Sequence, residues 1–356
     1  MARFGVEEEF VLLDEQTLVP SAMTPETRER ILIEAGAGVT PEYLTCQLET
    51  ATEPCSTRAD AESQLRRTRT LLGDVAAVQG SIAAATGTPF ISPQRLVVSS
   101  SAHYDAVSAQ LVEITREHEV NGLHIHVEVP DEEERVRVVN RVRAWLPPLL
   151  AITGNAPFAH GRDSGFASWR SILIRRLPAS WTPPLFRDLT DYRSHVEQLV
   201  SMGAIAEASS LSWTVRLSER FPTVEVRVFD TQPTVDDTLL AVAVTRALLV
   251  SDALDDCHGI GADAIDASLW TAARYGTDAR LVDPVSGAVE SAWTIAESLL
   301  ERLRPALAQL GDEDFVSEGI ARIRTDGTGA ERQRRAYAER GTAGLRELYR
   351  SGTATT

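Results

Sequence analysis

The sequence predicts an α+β fold: a largely antiparallel sheet with one open face and with helices packed on its other side. Three segments, 4–12, 123–129 and 223–229, alternate between apolar and polar residues in the way that half-buried strands do. A fourth segment, 211–217, ends five residues before the last of these, and this spacing predicts an antiparallel hairpin. Helices of unequal length separate the strands, which is typical of an antiparallel or mixed sheet.

The composition is that of a globular chain with a strong negative charge. Of its 356 residues 43% are hydrophobic, which is enough for a sizeable core, and the net charge is −16. This charge argues against a general binder of nucleic acid or of an anionic membrane. Lysine is absent from the sequence, so a catalytic lysine, a Schiff base and a P-loop lysine are excluded.

The cysteines and the apolar segments indicate the cellular compartment of the protein. Three cysteines occur, at positions 46, 55 and 257, without the spacing of a zinc site or of a disulfide framework. We therefore expect a reducing, cytoplasmic compartment. The sequence shows neither a signal segment nor a run of about 18 apolar residues, so we expect neither secretion nor a membrane span.

The first predicted strand carries three consecutive glutamates. Because successive side chains on a strand point to opposite faces, Glu7 and Glu9 share one face and Glu8 takes the other. Neighbouring carboxylates repel each other, and a hard cation such as Mg²⁺ would offset this repulsion. A solvated strand face without a ligand is the alternative that this segment leaves open.

The polar faces of the other strands are also rich in acids and histidines. Segment 43–52 is also β-like. The acids, histidines and arginine on the polar faces of segments 43–52, 123–129 and 223–229 are Glu49, His124, His126, Glu128, Glu225 and Arg227. Carboxylates with one imidazole suit Mg²⁺ or Mn²⁺ better than zinc, and an arginine beside them suits a phosphate-bearing ligand. A polar surface with a His-x-His pair, and a plain ion pair between Glu225 and Arg227, are the structural alternatives.

Helical periodicity covers most of the remaining chain. The predicted helices are 25–35 (ended by Gly36 and Gly38), 57–86, 101–118, 131–153 with a kink or break at Pro147-Pro148, short pieces up to 202, and most of 235–349 with breaks near 259–261, 283–284 and 311. Residues 155–170 form a loop rich in glycine, proline, aspartate and serine, in which Asp163 and Arg170 could simply pair with each other.

Six blocks, taken together, resemble a known family. They are GVEEEF at 5–10, QLETAT at 47–52, HIHV at 124–127, GRDSGFASWR at 161–170, TVEVRVFD at 223–230 and ARYG at 273–276. In this order they resemble the carboxylate–amine ligases related to type-2 glutamate–cysteine ligase, which have a glutamine synthetase-like fold. The resemblance implies a single catalytic domain over residues 1–356, mainly helical from about 235.

The resemblance also implies roles for the residues on the open face. The metal ligands, for Mg²⁺, would be Glu7, Glu9, Glu49, His124 and Glu225, with Glu42 as a weaker candidate. His126 and Arg227 would contact the phosphates of ATP, and Arg227 and Glu225 would be the catalytic residues. Asn155 and Arg170 would lie near the amino-acid substrate.

The activity implied by the resemblance is an ATP- and Mg²⁺-dependent ligation of a carboxylate to an amine through an acyl phosphate, with L-glutamate and L-cysteine as substrates. Glu128 stands where the family usually has glycine, and it could narrow the pocket or add a charge. A catalytically idle homologue that binds a nucleotide or an amino acid, and a metal-dependent amidohydrolase, are the other interpretations. The partners would be small molecules, and the long amphipathic helices could support a homodimer.

Overall fold

The computed structural model of the protein describes residues 2–34, 38–92, 97–99, 102–254 and 259–354. Its central seven-stranded sheet consists of β1 (Phe4–Asp14), β2 (Val39–Pro41), β3 (Gln47–Ala51), β4 (Ser81–Ala84), β5 (Gly122–Glu128), β10 (Val215–Leu217) and β11 (Thr223–Asp230). The strand order is β10, β11, β5, β1, β3, β2, and β4 pairs with the second half of β1. All of these pairs are antiparallel, which confirms the predicted sheet and the hairpin of β10 and β11.

Three short strand pairs lie outside the central sheet. They are β6 (Phe158–Ala159) with β7 (Arg162–Asp163), β8 (Ser180–Trp181) with β9 (Ser212–Trp213), and β12 (Arg280–Val282) with β13 (Val289–Ser291). The first pair falls in the predicted loop 155–170, and the last falls at the predicted break near 283–284.

The described residues also contain thirteen α-helices. They are α1 (Pro25–Glu34), α2 (Arg58–Val78), α3 (Ala102–Leu111), α4 (Glu132–Val142), α5 (Leu146–Thr153), α6 (Trp169–Ile174), α7 (Leu189–Ser201), α8 (Val235–Val250), α9 (Ala262–Tyr275), α10 (Ala292–Leu310), α11 (Glu313–Asp326), α12 (Gly329–Arg340) and α13 (Thr342–Ser351). Short 3-10 helices occupy Val112–Glu117, Arg143–Trp145, Ala208–Ser210 and Gly276–Asp278. Among the described residues, no helix is both long enough and apolar enough to cross a bilayer.

Two predicted helices are shorter than expected. The helix predicted over 57–86 ends at Val78, and residues 81–84 form β4, a fully buried strand beside β1. Its alanines favour a helix in isolation, but pairing with β1 inside the core overrides that preference. The helix predicted over 101–118 ends at Leu111, because Val112 has a φ of 46° and a 3-10 helix follows. The predicted stop at Gly36 and the third cysteine, Cys257, lie outside the described residues.

One charged pair is buried on the helix-covered face of the sheet. Glu8 of β1 is 1% exposed and accepts hydrogen bonds from Arg69 of α2 and from Thr238 of α8. Arg69, 2% exposed, also donates to the backbone carbonyls of Gln232, Pro233 and Gly352. Glu8 therefore holds the helices to the sheet, while the glutamates on either side of it point to the open face.

Candidate active site

The strand register brings the predicted metal-binding residues together on the open face. β1 lies between β3 and β5, and β11 lies beyond β5. Directly opposite each other on neighbouring strands are Glu7 and His124, Glu9 and Glu49, and Glu225 and His126. Side chains in such positions are close enough to interact, so these six residues form one cluster, here called the carboxylate row.

Glu7 lies between two imidazoles. Its carboxylate oxygens are 3.3 Å from Nδ1 of His124 and 3.4 Å from Nε2 of His126. Burial acts to raise the pKa of Glu7, but the two histidines outweigh burial and hold this pKa well below its ordinary value. Burial and the neighbouring Arg227 guanidinium lower the pKa of His124. At neutral pH Glu7 is therefore ionised and His124 is neutral, and these are the forms that bind metal ions.

Two arginines hold Glu225 at the β11 end of the row. Arg216 donates to its carboxylate from Nε at 2.7 Å and from Nη2 at 3.3 Å, and Arg227 donates a further hydrogen bond. Burial acts to raise the pKa of Glu225, but Arg227 and Arg216 keep it below its ordinary value. Arg216 was not among the site residues predicted from the sequence. The alternation of segment 211–217 places it on the polar side of the predicted hairpin, and in the structure it lies opposite Glu225.

Burial and repulsion between carboxylates raise the pKa values of the acids at the other end of the row. Burial, together with repulsion from Glu42, Glu7 and Glu9, raises the pKa of Glu49 to about 9. Burial and the nearby Glu9 raise the pKa of Glu42 to about 7, although the hydroxyl of Tyr104 donates a hydrogen bond to it at 3.3 Å. Acids that raise one another's pKa in this way indicate a place for positive charge.

Two groups within the row have the spacing of a divalent-cation site. Glu7, His124 and Glu225 form one group, and Glu9, Glu49 and His124 form the other. Within each group, one ligand atom from each residue lies within 4.8 Å of the other two. Opposite ligands of Mg²⁺ are about 4.2 Å apart, so this spacing is compatible with binding of the ion. Sets of carboxylates with one imidazole fit Mg²⁺ or Mn²⁺.

Gly122 brings Arg170 to the row. Arg170 is buried, and its Nη1 atom lies 3.9 Å from Oδ1 of Asp230. A Cβ atom at Gly122 would collide with the Arg170 guanidinium, so only glycine leaves room for it. The N–H of Gly122 also donates to Oε2 of Glu9 at 2.6 Å. Gly122 was not among the site residues predicted from the sequence, because no local pattern connects it with Arg170.

Asn155 does not face the row. Its side chain is fully buried, donates to the carbonyls of Ala85 and Thr231, and accepts a hydrogen bond from Gln333. Both amide hydrogens are therefore used inside the protein. This position gives no support to its predicted contact with a substrate and indicates a structural role, in which it connects the ends of β4 and β11 to α12.

A cavity lies on each side of the carboxylate row. Cavity A has a volume of about 250 Å³, and its acidic, basic and imidazole lining residues are Glu9, Glu42, His118, His124, Arg170 and Arg227. Cavity B has a volume of about 400 Å³ and is lined, among others, by Phe4, Val6, Glu7, Pro54, His126, Glu128, Phe221 and Pro222. Glu128 lies at its edge in an ion pair with Arg3, whose Nη2 atom is 3.1 Å away. Glu7 and Glu9 line different cavities, so the row separates the two.

The match to a family model extends over nearly the whole chain. The model of glutamate–cysteine ligase family 2 matches residues 3–351. The chain belongs to this family. It is therefore an ATP-dependent carbon–nitrogen ligase by family, as the sequence blocks predicted, and the amidohydrolase interpretation has no support.

Individual relatives agree with the family model. The chain is 37% identical to a candidate glutamate–cysteine ligase 2-2 of Mycobacterium sp. (strain KMS), over 95% of this chain and 94% of that one. It is 38% identical to a candidate glutamate–cysteine ligase 2-2 of Saccharopolyspora erythraea, over 98% and 92%.

Two solved structures share the fold. One is the glutamate–cysteine ligase of Francisella tularensis in complex with AMP, with a TM-score of 0.75, 13% identity, and 99% of this chain and 88% of that chain covered. The other is a bifunctional glutathione synthetase from Pasteurella multocida, with a TM-score of 0.74, 16% identity, and 99% and 52% covered. These likenesses confirm the predicted fold class.

Proposed function

We propose that the protein uses ATP and Mg²⁺ to join L-glutamate to an amine, with L-cysteine as the acceptor that the names of its relatives give. The observation that carries this proposal is the carboxylate row: two three-ligand groups that share His124, with Arg227 beside them, between two cavities. Such a site can receive a phosphate-bearing ligand from one side and an organic carboxylate from the other.

The metal ligands would be the members of the two groups: Glu7, His124, Glu225, Glu9 and Glu49. When bound, Mg²⁺ or Mn²⁺ neutralises phosphate oxygens and thereby assists phosphoryl transfer. Burial and repulsion from neighbouring carboxylates raise the pKa of Glu49, and this supports the fit, because a cation would relieve the repulsion.

Cavity B suits the nucleotide. Its wall is largely apolar, and the ring of Phe221 at its edge is 54% exposed, which offers an aromatic surface to a purine base. His126 and Glu7 form the end of this cavity at the row. A nucleotide with its base near Phe221 would thus direct its phosphates toward His126 and Arg227, and the fold relative from Francisella is itself a complex with AMP.

Cavity A suits the amino acids. Arg170 lines it and has a buried Nε atom without a hydrogen-bond partner among the described residues, so its guanidinium has donor capacity for a substrate carboxylate. Arg227 lines the same cavity and is placed to stabilise negative charge on a phosphoryl group passing the row. The reacting carboxylate would therefore lie between these two arginines.

The proposed reaction has two steps and needs no protein nucleophile. A carboxylate oxygen of glutamate attacks the γ-phosphorus of ATP, so that ADP leaves and an acyl phosphate forms. The amine then attacks the acyl carbon, phosphate leaves, and the nitrogen loses a proton to give the amide. Cys46 takes no part, because burial and the nearby Glu119 raise the pKa of its thiol to about 12.

Two further proposals concern the setting of the enzyme. We place it in the cytoplasm, which is consistent with the free, buried thiols of Cys46 and Cys55, the two cysteines that the structure describes. We also propose a homodimer. Light scattering of the protein as it elutes from a size-exclusion column measures its molar mass and tests this proposal.

The test is an assay with one component left out at a time. ADP release should require protein, Mg²⁺, ATP, L-glutamate and an amine together, and mass spectrometry should detect the γ-glutamyl amide. Glu9→Gln should lower the rate by about 100-fold, whereas Glu26→Gln, at an exposed position on α1, should not change it. Nucleotide binding without ADP release for every amine would instead favour the idle homologue.

A further inference from the structure

Cavity A has two kinds of wall. The sheet, the segment between β2 and β3, and the first turn of α6 supply the charged side chains Glu9, Glu42, Arg170 and Arg227. The remaining wall comes from α3, from α6 and the turn after it, and from the segment 204–212. Its main apolar residues, here called the apolar wall, are Val107, Leu111, Ile174, Leu177, Pro178 and Leu211.

Hydrogen bonds hold the elements of the apolar wall together. The side-chain amide of Gln110 on α3 donates to the carbonyls of Gly203 and Ala204, at 3.2 and 3.0 Å. Arg176, after α6, donates at 3.2 Å to the carboxylate of Glu117, which lies in the 3-10 helix that follows α3. The elements that form the apolar wall are therefore connected to one another by hydrogen bonds.

The apolar wall exposes hydrophobic surface to the cavity, and hydration of such surface is unfavourable. Most of its side chains are only partly buried by the protein itself. The polar residues on the elements of this wall, in the described part of the chain and apart from Arg170, are uncharged: Tyr104, Gln110, Ser209, Ser210 and Ser212. His118 lines the cavity beside them. Burial, with Arg176 and Arg170 nearby, lowers the pKa of His118 to about 4, so its imidazole is neutral at pH 7. A hydrophobic group gains the most by occupying such a surface.

The two substrates of a ligase divide the cavity between them. The donor carboxylate has to reach the carboxylate row, where Arg170 and Arg227 lie. The acceptor amine has to approach the same carbon from the cavity side, so its side chain points away from the sheet. The apolar wall is the surface that this side chain meets.

We propose that the amine acceptor carries an apolar side chain, aliphatic or aromatic, that packs on the apolar wall and makes this acceptor a better substrate than L-cysteine. The inference rests on the proposed ligase function and names the class of its second substrate. It keeps the ligase reaction of the proposed function but revises its acceptor, which was taken from the relatives' names.

The experiment compares acceptors at fixed Mg²⁺, ATP and L-glutamate with the wild-type protein. L-alanine, L-serine, L-cysteine, L-leucine and L-phenylalanine are supplied in turn, ADP release gives kcat/KM, and mass spectrometry identifies each amide. Leucine has three more carbon atoms than alanine to bury, so kcat/KM should be about 10- to 100-fold higher for leucine. The kcat/KM for L-cysteine should be closer to the value for L-alanine than to the value for L-leucine.

A variant pair tests the wall itself. Leu177→Asn should lower the leucine-to-alanine ratio of kcat/KM by about tenfold, because it replaces apolar surface with an amide. The control is Leu185→Asn, which changes a leucine that is 57% exposed and outside both cavities, and it should leave the ratio unchanged. Equal melting temperatures for the two variants exclude misfolding as the cause.

Three results would overturn the inference. A cysteine or serine preference over leucine would show that the wall does not select the acceptor. A leucine-to-alanine ratio that Leu177→Asn leaves unchanged would assign the preference to another surface. The absence of ADP release with every acceptor would refute the proposed function, and this inference with it, and is distinct from release with cysteine alone.

Discussion

Replacing Glu8 should damage the fold, whereas replacing glutamates on the open face should damage only the site. Glu8 is 1% exposed and accepts hydrogen bonds from Arg69, itself 2% exposed, and from Thr238. Glu8→Ala leaves the Arg69 guanidinium buried without its counter-charge. Removing one partner of such a pair costs about 3–5 kcal/mol of unfolding free energy.

This cost converts into a measurable shift of the melting temperature. With an unfolding entropy of about 2.1 cal/mol/K per residue, a chain of 356 residues should lose about 4–7 °C. The assay is differential scanning calorimetry at pH 7 without divalent cations. Glu8→Gln should lose less than Glu8→Ala, because the amide oxygen can still accept a hydrogen bond from Thr238.

Glu49→Gln is the matched control on the open face. Because the pKa of Glu49 is raised to about 9, its carboxyl is already neutral at pH 7, and the amide should leave the melting temperature within about 1 °C. Mg²⁺ should stabilise the wild-type protein but not this variant. An unchanged melting temperature in Glu8→Ala, or an equal decrease of the melting temperature in Glu8→Ala and Glu49→Gln, would refute the assignment of Glu8 to the fold and of Glu49 to the site.

Three further predictions concern other parts of the molecule. Glu42 and Glu49 have carboxyl pKa values raised to about 7 and about 9, so binding of a cation should release protons from them. Titration calorimetry in two buffers should detect this proton release, and the affinity for Mg²⁺ should rise from pH 6 to pH 9. Two arginines lower the pKa of buried Asp237 against the effect of burial, so Asp237→Asn should lower the melting temperature at pH 7, and the difference from wild type should shrink below about pH 4 as the wild-type carboxylate is protonated. Gly122→Ala should cut kcat/KM for ligation while the metal affinity changes less, since its Cβ displaces Arg170; unchanged kinetics would contradict the contact.

The composition of the carboxylate row could be predicted because a strand has a fixed period. Alternation alone places Glu7 and Glu9 on one face and Glu8 on the other, and the structure has this arrangement. The antiparallel register that sets Glu9 opposite Glu49 was not predicted. It agrees with the predicted open face, because paired strands place their side chains next to each other on the same face.

Features that depend on the path of the chain through space could not be predicted. Strand β4 has the composition of a helix, and only its place beside β1 makes it a strand. Asn155 lies in a loop whose course turns its side chain inward, toward Gln333 of α12, far away in sequence. The contact of Gly122 with Arg170 joins a strand and a helix that no local pattern connects.

Manganese binding, measured by electron paramagnetic resonance, tests the central claim that the carboxylate row binds divalent cations. Free Mn²⁺ is titrated against the wild-type protein, Glu9→Gln, and the exposed-site control Glu26→Gln. We predict saturable binding to the wild-type protein and to the control, and an affinity that is weaker by about tenfold or more in Glu9→Gln. Equal affinity in all three proteins would contradict the assignment of the row as the metal site.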